Sequence, residues 1–167
     1  GLPGDSIYEL MIQDAHGCQD TASVYVSQPT EIFFSTTLSD YNGFEVSCFV
    51  ASDGTIDFGT PSGGSGAGYT YSIDGGVTGF GFSPSYPNSP AGPYILSVQD
   101  GDGCKEDTNV ILTSPSQFLI SPVVTSNYNG SQISCNGVSD GIITVTQVNG
   151  VSPINYGLND GAFSANT

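Results

Sequence analysis

"SVQDGDGCKEDTNVILTSP" (residues 97–115) decides how this chain is organised, because "MIQDAHGCQDTASVYVSQP" (residues 11–29) repeats its pattern 86 residues earlier. Each stretch has an alternating apolar segment, an Asp-x-x-Gly-Cys turn, and a second alternating segment that ends at a proline. Alternation of apolar and polar residues predicts strands, and a short turn between two such segments predicts a hairpin. Self-similarity at a fixed period indicates a repeat architecture.

A second block of sequence also occurs twice, with an offset of 87 residues. It contains Tyr-Asn-Gly, Ser-Cys and Ser-Asp-Gly in the same order, at residues 41–54 and again at 128–141. The differences in length between the copies fall in glycine-rich and serine-rich loops, where insertions are tolerated. We therefore predict three segments: the C-terminal strands of one repeat (1–29), a complete repeat (30–115) and the N-terminal part of the next (116–167).

The rest of the chain alternates short apolar segments with Gly, Pro, Asn and Ser clusters, which are typical of turns. No stretch has a sustained helical period with caps. We predict an all-β fold, in which Ig-like antiparallel β-sandwich repeats of about 86 residues form a tandem, elongated array.

The charge of the chain excludes several classes of partner. It has 16 acidic residues, one basic residue and a formal net charge of −15. Binding to nucleic acid or to an anionic membrane surface depends on Lys and Arg, so we expect neither. No apolar stretch approaches the 18 residues of a membrane-spanning helix, so we expect no membrane insertion.

Three stretches resemble the SprB-type repeat of cell-surface adhesins in gliding Bacteroidetes. They are "YTYSIDGG" (69–76), "AGPYILSVQDGDGC" (91–104) and "SCNGVSDGIITVT" (134–146), and with the repeats they extend the resemblance over nearly the whole chain. The first copy departs from the pattern at Val50, where the second copy has Gly137.

The resemblance implies a structural and adhesive segment of a very large, secreted, filamentous adhesin on the cell surface. It further implies export by the type IX secretion machinery, a role in gliding motility and surface attachment, and contact with neighbouring repeats and an external surface or polysaccharide. Two alternatives stay open: a carbohydrate-binding module, or a calcium-dependent linker module, of a secreted multidomain protein.

The sequence indicates neither an enzyme nor a bound cofactor. The one histidine, His16, lies in a turn whose second copy has Asp102, so a catalytic triad would lack its base in that copy. Calcium is the one metal worth considering, because hard cations prefer clustered oxygen ligands. The weak candidate ligands lie in turns and are Asp53, Asp100, Asp102 and Asp140.

The cysteines form the last set of candidate sites, together with two hydroxyl residues. Export would place the chain in an oxidising environment, and Cys48 and Cys104 are the two cysteines within the predicted complete repeat, so we expect them to form a disulfide. That pairing requires a departure from the strict Ig strand order, which separates the two turns. Ser6 and Thr21 each follow an Asp and precede an apolar residue, as in the O-glycosylation motif of Bacteroidetes surface proteins.

Overall fold

The fold of the protein is all-β. The computed structural model describes residues 1–165, which form fourteen strands and no helix, so the predicted fold class is confirmed. None of the described residues forms a helix that could span a membrane. In chain order the strands are β1 Ser6–Gln13, β2 Gln19–Val26, β3 Thr30–Phe33, β4 Thr36–Leu38, β5 Gly54–Phe58, β6 Ser62–Gly64, β7 Thr70–Ser72, β8 Ser85–Ser89, β9 Gly92–Gln99, β10 Lys105–Leu112, β11 Leu119–Val124, β12 Ile143–Val148, β13 Asn155–Tyr156 and β14 Ser164–Ala165.

The strands form several small sheets. Four sheets have two strands each, β1-β2, β3-β6, β11-β12 and β13-β14, and two have three strands, with the orders β4-β5-β8 and β10-β9-β7. The β1-β2 hairpin is antiparallel and runs without a bulge from Ser6 opposite Val26 to Gln13 opposite Gln19. Strand β7 pairs antiparallel with β9, with Tyr71 opposite Val98. This arrangement of short antiparallel strands agrees with a β-sandwich, while the tandem array remains a prediction.

The chain divides into two compact units, and the first comprises residues 1–37, 57–85 and 94–110. Its buried apolar residues are Ile32, Phe58, Leu96 and Val98. The Phe58 ring packs at a tilt between Phe34 and Tyr71, with ring centroids 5.6 Å and 5.1 Å away. Tilted aromatic pairs at this spacing add to the stability that comes from apolar burial.

The second unit comprises residues 38–56, 86–93 and 111–167. Its buried apolar side chains are Val46, Ile56 and Leu112. Gly54 packs so tightly that a Cβ atom there would lie 2.7 Å from Leu112 Cδ2 and 2.7 Å from the Ser89 carbonyl oxygen. The first position of β5 therefore has to be glycine for steric reasons. The boundaries at residues 29/30 and 115/116 stay predictions.

Candidate functional site: the aspartate-centred turns

The turn between β9 and β10 is built around the carboxylate of Asp100. Its Oδ1 accepts hydrogen bonds from the backbone N–H groups of Asp102, at 3.0 Å, and Cys104, at 2.8 Å. Gly103 donates its N–H to the Asp100 carbonyl at 3.2 Å and has φ of +88°, a conformation that favours glycine. The Asp-x-x-Gly-Cys sequence therefore determines this turn.

The turn between β1 and β2 repeats this geometry around Asp14. The backbone N–H groups of His16 and Cys18 donate to Asp14 Oδ1 at 2.9 Å and 2.8 Å, and Gly17 has φ of +86°. His16 is exposed and contributes this backbone hydrogen bond to the turn. The same Asp-x-x-Gly-Cys pattern thus forms the same turn at both places in the chain.

Asp100 has a further partner that depends on the tertiary fold. Its Oδ2 accepts a hydrogen bond from the Ser65 N–H at 2.7 Å, which connects the β9-β10 turn to the glycine loop after β6. Asp100 is buried, with 4% of its surface exposed, whereas Asp14 is exposed. The Ser65 N–H, and after it those of Cys104 and Asp102, hold the pKa of Asp100 below its usual value against the opposing effect of desolvation.

The Ser-Asp-Gly turns are built on a second pair of carboxylates. Asp53 Oδ1 accepts from the Ser47 N–H at 3.1 Å, and Asp140 Oδ1 accepts from the Ser134 N–H at the same distance. Hydrogen bonding from Ser47 lowers the pKa of Asp53, and hydrogen bonding from Ser134 lowers that of Asp140. Each aspartate fixes the loop that contains the Ser-Cys pair.

A serine and a tyrosine complete this loop in both copies. The Ser39 hydroxyl donates to the Glu45 carbonyl at 2.7 Å and accepts from the Thr55 N–H at 2.8 Å. Ser126 makes the equivalent bonds to the Gln132 carbonyl and the Ile142 N–H, at 2.7 Å and 2.9 Å. The Tyr41 and Tyr128 hydroxyls donate to the carbonyls of the two turn aspartates, at 3.1 Å and 3.4 Å respectively. The sequence repeat is therefore also a repeat of hydrogen bonds.

The departure from the pattern at Val50 leaves the turn intact. The Ala51 N–H donates to the Cys48 carbonyl at 3.0 Å, and the Val138 N–H donates to the Cys135 carbonyl at 3.2 Å. Gly137 has φ of +80° and Val50 has φ of +64°, a conformation that a β-branched residue rarely adopts. The surrounding hydrogen bonds therefore hold Val50 in an unfavourable backbone conformation.

The structural carboxylates that the sequence does not single out include Asp74, Glu45 and Asp107. Asp74 accepts from the Ser72 hydroxyl at 2.6 Å and from the Thr78 hydroxyl at 2.6 Å, and these bonds lower its pKa to about 2. The Ser-x-Asp-Gly-Gly sequence is the local signal that could have revealed it. Glu45 Oε2 accepts from the N–H and the hydroxyl of Thr113, 68 residues further along the chain, and no local pattern predicts such a partner.

The third is Asp107, which holds the only basic side chain of the protein in place. The Lys105 ammonium lies 2.8 Å from Asp107 Oδ2 and donates to the Gly75 carbonyl at 3.3 Å. The buried Ser97 donates its hydroxyl to Asp107 Oδ1 at 2.5 Å. Desolvation raises the pKa of Asp107, but Lys105 and Ser97 outweigh it, and the pKa lies below its usual value.

The weak calcium candidates are not brought together in the described structure. Among residues 1–165, no group of three or more His, Cys, Asp or Glu side chains is placed to hold a metal ion. Asp100 accepts from backbone N–H groups of its own turn, Asp53 and Asp140 each accept from the N–H of a serine six residues earlier, and Asp102 is exposed. The geometry of these carboxylates is that of turn formation.

The four cysteines and the two hydroxyl candidates differ in exposure. All four cysteines, Cys18, Cys48, Cys104 and Cys135, are exposed free thiols, so the structure does not contain the expected Cys48–Cys104 disulfide. Cys18 and Cys104 each donate a backbone N–H to the aspartate of their turn, and Cys48 and Cys135 each follow a serine that does so. These turns form without a disulfide. Thr21 is exposed, and Ser6 is half-buried and donates its hydroxyl to the Gly4 carbonyl at 3.1 Å.

The comparison with protein families agrees with the twofold occurrence of these turns. The SprB repeat family matches the chain at two places, residues 45–78 and 127–163. The chain contains SprB-type repeats. Each matched region includes a Ser-Asp-Gly turn with its aspartate, Asp53 or Asp140, so the resemblance expected from the sequence is confirmed. No curated protein and no solved structure is significantly similar to the chain.

The match with this repeat family supports a broad class for the chain. SprB repeats are structural repeats, not an enzyme family, and they occur in surface proteins. The chain is accordingly a repeat segment of a cell-surface, adhesin-like protein.

Proposed function

We propose that these SprB-type repeats form a structural and adhesive segment of a very large secreted filament that a gliding cell uses to attach to surfaces. In this proposal the chain is extracellular and is exported by the type IX secretion machinery. Its partners are the neighbouring repeats and an external surface or polysaccharide. The observation that carries the proposal is the family match at two places in one chain.

The hydrogen bonds of the turns support a load-bearing role. The Glu45 carboxylate ties the first loop of the middle segment to Thr113, close to where the next segment begins. Asp100 ties the β9-β10 turn to Ser65. Such contacts join stretches of chain that are distant in sequence, so they resist the pulling apart of a repeat from its ends.

The negative surface charge favours a chain that is exposed to solvent and does not bind polyanions. The formal net charge is −15, and the single basic residue, Lys105, is already paired with Asp107. A filament of such repeats would repel anionic polymers and would repel other filaments at low ionic strength.

The cellular part of the proposal is tested with Fab fragments raised against the chain and applied to intact cells of the source organism. We expect surface labelling, and we expect the Fab to slow gliding and reduce attachment relative to an unrelated Fab. Labelling that appears only after permeabilisation would contradict the location. Surface labelling without an effect on movement or attachment would contradict the adhesive role.

Beads coated with the chain test whether this segment binds a surface or only separates other segments. We expect the beads to adhere to glass coated with an uncharged polysaccharide more strongly than beads coated with an unrelated protein of equal charge. Equal adhesion of the two kinds of bead would restrict the segment to a spacer. Adhesion that appears only when calcium is added would favour the calcium-dependent alternative.

A further inference from the structure

Two turns of the chain carry an Asn-Gly pair at the same position of the repeated block. Of the four Asn-Gly pairs in the sequence, those at residues 42–43 and 129–130 lie 87 residues apart, each after a tyrosine. Asn42 and Asn129 have φ of +58° and +53°, and the glycines that follow them have φ of +90° and +92°. Positive φ at both central residues is the conformation of a type I′ turn. The two pairs therefore have matching backbones within one molecule.

Both pairs are open to solvent. Asn42, Gly43, Asn129 and Gly130 are all exposed. A Cβ atom built on either of these glycines would have no atom within 4 Å. The two turns are exposed alike, so a comparison between them does not depend on what surrounds either segment of the chain.

An exposed Asn-Gly pair can modify itself with water as the only co-reactant. The glycine nitrogen loses its proton and attacks the side-chain amide carbon of the asparagine. The carbon–nitrogen bond of that amide breaks, ammonia leaves with the proton, and a cyclic imide remains. Water then opens the imide at one of its two carbonyl groups and leaves either aspartate or isoaspartate. The rate therefore depends on how readily the glycine nitrogen becomes an anion.

The two turns differ in the group that accepts the glycine N–H. Gly43 donates to Asp40 Oδ1 at 2.7 Å, whereas Gly130 donates to Asn127 Oδ1 at 2.8 Å. A carboxylate binds the N–H more strongly than a neutral acceptor and repels a nitrogen anion beside it. The Asn127 amide is neutral, and its rotation presents an N–H donor to such an anion. Asp40 therefore opposes the first step of the reaction, and Asn127 does not.

We propose that Asn129 is a site of spontaneous deamidation and that the Asp40 carboxylate protects Asn42 from the same reaction. The product at position 129 has an additional negative charge, and isoaspartate also lengthens the backbone by a methylene group. Tyr128 and Ser131 exchange two backbone hydrogen bonds across this turn, at 2.7 Å and 3.2 Å, and a longer backbone disrupts them. The reaction therefore opens one turn and leaves its counterpart intact. The proposal does not depend on the cellular role proposed above.

Peptide mapping by mass spectrometry measures both rates in the full chain during incubation at mildly alkaline pH. We expect Asn129 to convert roughly fivefold faster than Asn42, because a hydrogen bond to a charged acceptor is about twice as strong as one to a neutral acceptor. Enzymatic methylation of isoaspartate identifies the product at position 129. Equal rates, or faster conversion of Asn42, would overturn the proposal.

An exchange of the two acceptors tests the cause of the difference. Asp40→Asn should raise the rate at Asn42 roughly fivefold, and Asn127→Asp should lower the rate at Asn129 by a similar factor. The turn that is not substituted serves as the internal control in each variant, and both substituted residues are exposed. An unchanged rate at the substituted turn, or a change in the opposite direction, would contradict protection by the carboxylate.

The same measurement on the natural sequence in concentrated urea separates the folded turn from the local sequence. The pairs are followed by different residues, Phe44 and Ser131, and unfolding keeps these neighbours but removes the fixed hydrogen bonds. We expect the rates at Asn42 and Asn129 to converge in urea. A difference as large as in the folded chain would assign it to the neighbouring residues and would overturn the role of Asp40.

Discussion

The β9-β10 and β1-β2 hairpins share a sequence pattern and the same turn, but their surroundings differ. In both, an aspartate accepts two backbone hydrogen bonds from the residues two and four positions later. Only Asp100 also accepts a hydrogen bond from the glycine loop after β6 and is buried. The local sequence therefore determines the turn, whereas the rest of the repeat determines whether the turn aspartate is buried.

The largest expected difference between the two hairpins concerns a leucine at the same position in each. Leu96→Ala should lower the free energy of unfolding by about 2–5 kcal/mol, because Leu96 is completely buried and its truncation leaves a cavity. Leu10→Ala should change it by about 0.5 kcal/mol or less, because Leu10 is largely exposed. Urea denaturation of dilute protein measures both values. Equal effects would mean that Leu10 is buried in solution.

The next comparison is between the first glycines after the two Ser-Asp turns. Gly54→Ala should destabilise the protein by about 1–3 kcal/mol, because the new Cβ would lie 2.7 Å from both Leu112 Cδ2 and the Ser89 carbonyl oxygen. At Gly141 the nearest atom to a Cβ is 3.7 Å away, so Gly141→Ala should be nearly neutral. Thermal unfolding of the two variants compares them directly, and a neutral Gly54→Ala would show that the packing around β5 is looser than described.

A smaller effect of opposite sign is expected at Val50. A left-handed backbone conformation costs a non-glycine residue about 1–2 kcal/mol, and glycine loses about 0.5–1 kcal/mol through its greater freedom in the unfolded chain. Val50→Gly should therefore stabilise the protein by about 0.5–1 kcal/mol, and Gly137→Val should destabilise its own turn. A destabilising Val50→Gly, measured by urea denaturation, would indicate that the Val50 side chain makes contacts worth more than the backbone strain.

The smallest effect concerns pH. The Ser72 and Thr78 hydrogen bonds lower the pKa of Asp74 to about 2, so its charged form is favoured by folding. The resulting stability is fully present above the ordinary aspartate pKa of about 3.9 and is lost as the pH falls from there towards 2. Asp74→Asn should flatten this part of the profile of melting temperature against pH. Thr78→Ala should flatten it partly, and an unchanged profile in both variants would contradict the hydrogen bonds.

The sequence was sufficient for the elements whose cause is local. Alternation predicted β9 and β10, and the repeated Asp-x-x-Gly-Cys pattern predicted the turn between them, because Asp100 and its donors lie within five residues. It was not sufficient for the bond from Glu45 to Thr113, whose partners are 68 residues apart.

The candidate sites likewise depend on contacts that the sequence alone does not show. Oxygen-rich turns make calcium a candidate, and this stays a prediction. The sequence alone does not reveal that Asp53 and Asp140 each accept a hydrogen bond from a backbone N–H group. The expected Cys48–Cys104 disulfide was inferred from a count of cysteines per repeat, and a count contains no information about distance or direction. The structure has both as free thiols.

Hydrogen–deuterium exchange of dilute protein, measured by mass spectrometry, tests the central claim most directly. It shows whether the repeated strand is hydrogen-bonded on both edges in β9 and on one edge in β1. Strand β9 is paired on both sides, whereas β1 is paired with β2 alone among the described residues. Peptides that cover residues 97–99 of β9, which pair with β7, should therefore exchange slowly, whereas those from the matching residues 11–13 of β1 should exchange about half of their amides quickly. Equal protection of β1 and β9 would contradict the account.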